Sequence, residues 1–180
     1  MGRYPSQYSK GITYRAEGKR LLLKSPSNGF RVSTLCRLFP DAAFVQIVRE
    51  PTAVVLSAVE SWQQMWARYA LAAEPAAATL EDLVIDAYLA MDARVNESIR
   101  SLANHHAIAI RYEELVVSPY ETVERIYGAL NLGKAASLRT RIDQLLKSSP
   151  PLRNARQPTP HQITAVRKRC EEIYARYDYG

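Results

Sequence analysis

The sequence predicts an α/β fold with a short, mainly parallel sheet flanked by helices. Three brief apolar runs point to strands: "RLLLK" at 20–24, "AFVQIV" at 43–48 and "HAIAIRY" at 106–112. Each is too short for a helix and is bounded by polar or turn residues. Longer segments with apolar residues at steps of three and four lie between and after them. Strands that alternate with helices favour parallel pairing, since a crossover between parallel strands commonly runs through a helix.

In chain order, the first run ends on Lys24-Ser25-Pro26 and the second on Arg49. Glu50-Pro51-Thr52 then turns the chain into a helix: Pro51 suits the first helical turn, where its missing N–H is no loss, and Thr52 is a capping candidate. Ala70–Ala78, rich in alanine and broken by Pro75, reads as a loop. Residues 79–104 place Leu80, Leu83, Val84, Ala87, Met91, Val95 and Ile99 on one helical stripe, with Thr79 and Asp82 spaced as a capping box. Residues 119–131 form a further predicted helix, opened by Pro119 and closed by Gly133. "KSSPPLRNARQPTP" at 147–160 reads as an irregular crossing segment, a lid or a connection. The last helix is expected over 160–177, with Ile163, Val166, Cys170, Ile173 and Tyr177 on its stripe. No internal repeat divides the chain, so 1–180 reads as a single domain.

Composition narrows the function classes. With 47% hydrophobic and 23% charged residues the chain has the balance of a soluble globular domain. No apolar run approaches the roughly 18–20 residues a bilayer requires, and the N-terminus lacks signal-peptide zones, so a cytoplasmic protein with no membrane span is expected. Met1-Gly2 with Ser6 fits an acylation pattern only formally. Cys36 and Cys170 lie far apart without metal or disulfide spacing and read as reduced, structural thiols. A net charge of +6 and a pI near 9.4 suit a polyanion or a phosphorylated small molecule. The basic residues are scattered, as Arg37, Arg68, Arg94, Arg100, Arg125 and Arg139 show, and no basic-aromatic block suggests a nucleic-acid partner.

Ligands of open α/β sheets bind beyond the carboxyl ends of the strands. Lys24, Arg49 and the Tyr112-Glu113-Glu114 group stand there. Arg49 carries a planar fork suited to two parallel hydrogen bonds with a phosphate, and the amides of the following helix also favour an anion. Ser57, in the second turn of that helix, offers one more donor. The structural alternatives are an ion pair of Arg49 with Glu50 or Glu114, and a Ser57 that bonds the preceding turn.

The run "KRLLLKSPSNGFRVSTLCRLFPDAAFVQIVREPTAVVLSAVESW" resembles the sulfotransferases that use 3′-phosphoadenosine 5′-phosphosulfate (PAPS), in particular the bacterial branch with a Lys-Ser-Pro motif. "IRYEELVVSPYETVERIYGALNLG" at 110–133 is similar to a later family segment. The resemblance covers roughly residues 8–133 and implies a three-layer, P-loop-NTPase-like fold. It implies PAPS as co-substrate, no metal, and sulfuryl transfer to a hydroxyl or amine of a small-molecule or glycan acceptor. By position, Arg49 and Ser57 match the pair that holds the cofactor's 3′-phosphate, Lys24 matches the catalytic lysine near the sulfuryl group, and Tyr112 matches a tyrosine near the adenine. Glu113 and Glu114 are expected to cap the next segment or pair with Arg49 or Arg111.

The family's phosphate-cradling loop has no counterpart before residue 20, so the chain reads as an N-terminally truncated, partial sulfotransferase domain. Pro26 stands where several branches carry a histidine base, and Arg153 and Arg156 are candidates for the late basic loop. Two readings therefore stand beside each other. One is a PAPS-dependent sulfotransferase completed by an N-terminal loop. The other is a non-catalytic remnant that binds nucleotide or a partner, whose exposed sheet edges pair with a second copy or a complementing chain. A phosphate-loop kinase is disfavoured, because no G-x-x-x-x-G-K-[ST] loop occurs.

Overall fold

The computed structural model describes residue 14 and residues 20–69, 76–102, 106–133, 138–148 and 157–179. The first expected strand is absent: 20–24 joins no ladder among the described residues, and Leu22 and Leu23 are 92% and 55% exposed. An apolar run becomes a strand only when another strand accepts its backbone groups, and no described segment does so here. Pro26 opens a 3-10 helix, Pro26–Arg31, which leads into α1 (Val32–Leu38). Gly29 lies so close to the next layer that an added Cβ would sit 2.7 Å from Cγ of Met91 and 3.3 Å from Cγ2 of Val95. The missing side chain lets this turn seat on a long helix.

The two remaining runs do form strands, β1 (Phe44–Val48) and β2 (Ala107–Arg111). They pair in parallel, Phe44 opposite Ala107 and Val48 opposite Arg111. The crossover passes through α2 (Pro51–Tyr69) and α3 (Ala77–Arg100). Along β1, Val48 is buried while Val45 and Ile47 remain exposed, the two-residue period of a strand covered on one side.

The stripe predicted for α3 is rotated slightly in fact. Leu80, Val84, Ile85 and Val95 are buried, and Leu83 is exposed. Helices on either side set the buried arc, and Ile85 falls within it. The helix starts at Ala77 after Ala76, with no side-chain cap, so the Thr79 and Asp82 box does not form. Beyond β2 come α4 (Tyr112–Val117) and α5 (Pro119–Ala129). Asn131, rather than Gly133, ends α5: it is left-handed at φ 51°, and the Leu132 amide reaches the Tyr127 carbonyl at 2.9 Å in a Schellman closure. A helix with no place among the expected elements, α6 (Leu138–Ser148), follows.

The C-terminal helix is divided at Cys170 into α7 (Pro160–Arg169) and α8 (Glu171–Arg176). Thr159 and Gln162 form a capping box at its start. The predicted stripe holds where it matters: Val166, Cys170 and Ile173 are fully buried against Val55, Leu80, Val84 and Ile85. This four-helix contact is the core, and it lies directly behind the strand ends. Both cysteines are free, and burial pushes the Cys170 thiol up to about 11. No helix among the described residues is long and apolar enough to cross a membrane. The acylation motif, Pro75, Arg153 and Arg156 lie outside the described residues.

Candidate functional site

The parallel register places the residue after Val48 beside the residue after Arg111. These are Arg49 and Tyr112. The Arg49 guanidinium lies over the Tyr112 ring, 4.6 Å from its centroid. Arg49 is half-buried and, among the described residues, forms no ion pair. The expected carboxylate partners are engaged elsewhere: Glu114 pairs with Arg125, and Glu50 and Glu113 hold backbone and tyrosine groups. A half-buried arginine braced by an aromatic face, and without an ion pair among the described residues, keeps its fork available for an anion.

The helix amides, expected to face the same anion, are instead held by Glu50. Its carboxylate accepts from the Thr52 amide at 3.0 Å and the Ala53 amide at 2.7 Å, while its carbonyl accepts from Val54 at 3.1 Å. Glu50, not Thr52, is the N-cap of α2. A carboxylate outcompetes a hydroxyl there because its full charge meets the positive helix end. Thr52 is buried, and its Oγ1 lies 2.7 Å from the Tyr174 hydroxyl.

Burial opposes the charged form of Glu50, but the bonds from Tyr174 and from the Ala53 and Thr52 amides outweigh it and hold the carboxyl below its ordinary value of 4.5. A depressed folded-state pKa means that the unfolded chain protonates first as pH falls. The stabilisation from this cap is therefore complete above the ordinary value and is lost as pH falls through the lower, folded one. Glu50→Gln is expected to be about 1 kcal/mol less stable than the unsubstituted chain at neutral pH and to converge with it in acid. Urea denaturation across that range checks this.

Ser57 is exposed on α2, about 9 Å along the axis from Pro51. Its carbonyl accepts from the Ser61 hydroxyl at 2.8 Å. No hydrogen bond of the Ser57 hydroxyl is seen among the described residues, so the expected back-bond is made by Ser61 instead. Lys24 is exposed before the 3-10 helix, and no hydrogen bond, ion pair or ring contact joins it to Arg49, Ser57 or Tyr112 among the described residues.

Tyr174, Tyr179 and Gln46 escaped the sequence reading, and Glu113, expected to cap the next segment or pair with an arginine, has other partners. Glu113 accepts from the Glu50 amide at 3.3 Å and from the Tyr179 hydroxyl at 2.7 Å. The Arg111 guanidinium lies over the Tyr179 ring at 4.4 Å. Tyr177 accepts from Gln46 at 3.0 Å. The crowding of tyrosines in "YARYDYG" was the available signal, yet which strand residues they meet is a matter of long-range packing. Among the described residues no cluster of three His, Cys, Asp or Glu side chains could hold a metal.

A family model described as "Sulfotransferase family" matches residues 3–135. The chain belongs to this family. The omega-hydroxy-beta-dihydromenaquinone-9 sulfotransferases of Mycobacterium bovis and Mycobacterium tuberculosis are each 29% identical to it over 167 residues, which cover 92% of this chain and 43% of theirs. The chain thus spans less than half the length of those relatives. A sulfotransferase domain from the curacin biosynthetic pathway superposes with a TM-score of 0.68 at 17% identity, covering 97% of this chain and 68% of that one. That likeness supports the sulfotransferase fold, with its short parallel sheet among helices.

Proposed function

We propose that this sulfotransferase chain takes PAPS as its sulfuryl donor and grips the cofactor's 3′-phosphate with Arg49 and Ser57. Arg49 carries the reading: it is a half-buried cation at the end of a parallel strand, braced on Tyr112 and without an ion pair among the described residues. A phosphate would supply the charge it lacks. Ser57 would add a hydroxyl donor from α2, and Tyr112 an aromatic edge for the adenine. Lys24 would neutralise charge on the transferring oxygens, in whichever form of the protein brings it to the sulfuryl group.

PAPS supplies an activated sulfuryl group. In the transfer, an acceptor oxygen or nitrogen bonds to sulfur, the bridging sulfur–oxygen bond breaks, and its electron pair leaves with adenosine 3′,5′-bisphosphate. The acceptor proton passes to a base or to water. The mycobacterial relatives are named for a hydroxylated dihydromenaquinone. Trp62, Met65 and Tyr69, 37%, 57% and 75% exposed along α2, suit a similarly apolar acceptor.

Calorimetric titration with adenosine 3′,5′-bisphosphate, against adenosine 5′-monophosphate, tests the grip. Binding that requires the 3′-phosphate is expected. Equal affinity for both nucleotides, or no binding by the folded chain, would overturn it and favour the non-catalytic reading. Transfer from radiolabelled PAPS, assayed with the longest natural form of the protein, tests the chemistry.

A further inference from the structure

We propose that Tyr174 and Tyr179 are positioning residues for the nucleotide site: acting through Glu50 and Glu113, they fix the strand ends that present Arg49 and Tyr112. The inference rests on the reading of Arg49 as the 3′-phosphate ligand. Glu50 follows Arg49 directly and Glu113 follows Tyr112 directly, so each carboxylate is one peptide bond from a residue of the proposed grip.

The two carboxylates form a chain of contacts with the C-terminal tyrosines. The Tyr174 hydroxyl donates to Glu50, which holds the α2 amides with the same carboxylate. With its proton committed there, Tyr174 accepts from the buried Thr52 hydroxyl at 2.7 Å. Glu113 receives the Glu50 amide on one oxygen and the Tyr179 hydroxyl on the other. One carboxylate thereby ties the end of β1 to the end of β2 and both to the C-terminal segment. Tyr179 also supports Arg111, the last residue of β2.

Tyr174 and Tyr179 are both buried, and Tyr174 sits in the core with Val55 and Ile173. Burial and the neighbouring carboxylates push both hydroxyls above the ordinary tyrosine value, so they remain protonated donors. Tyr177 differs. It bonds Gln46 and Asn96 and touches neither carboxylate, which makes it an internal control within the same segment.

The test compares adenosine 3′,5′-bisphosphate affinity in Tyr174→Phe/Tyr179→Phe, Tyr177→Phe and Glu113→Gln, each with and without Arg49→Ala. Phenylalanine keeps the ring and removes the donor. The double variant and Glu113→Gln are expected to bind about tenfold more weakly, Tyr177→Phe unchanged, and the loss to vanish in the Arg49→Ala background. A general loss of structure would instead persist in both backgrounds. If the double variant does not fold, Glu113→Gln alone carries the comparison. Unchanged affinity in these variants, with Arg49→Ala still weakening binding, would overturn the positioning role while sparing the proposed function. An Arg49→Ala chain that binds normally would overturn both.

Discussion

Arg49→Ala is expected to weaken binding of adenosine 3′,5′-bisphosphate by about 100-fold or more while leaving affinity for adenosine 5′-monophosphate nearly unchanged. A bond between a charged donor and a charged acceptor contributes about 1.5–3 kcal/mol, and a guanidinium can make two to one phosphate. Since each 1.4 kcal/mol is about tenfold in affinity, the loss of both bonds gives that scale. Arg49→Lys keeps the charge without the fork and is expected to fall between, at about tenfold. Calorimetric titration of the three chains with both nucleotides checks the order. Because Arg49 makes no ion pair among the described residues, its removal forfeits little besides the stack on Tyr112, worth about 0.5–1 kcal/mol. Unaltered bisphosphate binding in Arg49→Ala would remove the central support for the PAPS reading.

Ile173→Ala is expected to produce the largest change in stability, a loss of about 3 kcal/mol. Ile173 is 2% exposed where α8 meets Val55 of α2 and Leu80 of α3. The truncation loses buried apolar contact and leaves a cavity that three helices, each held by other contacts, cannot readily close. Against a typical total of about 5–15 kcal/mol this is a large fraction. Urea denaturation is expected to show a lower midpoint with an unchanged slope, since the surface exposed on unfolding is nearly the same. Leu146→Ala is the contrast: that leucine is 56% exposed on α6, and its loss is expected to stay within about 0.5 kcal/mol. If the two variants were equally stable, the four-helix contact would not be the core.

Local pattern carried much of the architecture. The strands at 44–48 and 107–111 and the long helix after Ala76 were legible because their short or periodic apolar runs leave few alternatives. Arg49 and Tyr112 were legible as strand-end residues, and their meeting follows from the parallel register. The run at 20–24 misled because strand propensity says nothing about whether a partner strand is at hand. The helix cap misled for a different reason. Thr52 has a capping side chain, but Glu50 two residues earlier has a charged one, and Tyr174 draws the threonine hydroxyl into the core.

By itself, then, the sequence determined the α/β class, the buried stripe of the C-terminal helices and the chemical character of the strand ends, since each depends on residues close together in the chain. Tertiary structure alone decided that Arg49 is left without an ion pair among the described residues, and that tyrosines from the far end of the chain hold Glu50 and Glu113. Those contacts join residues more than sixty positions apart. A side chain's partner at that distance is chosen by how helices and strands pack, which local spacing does not encode.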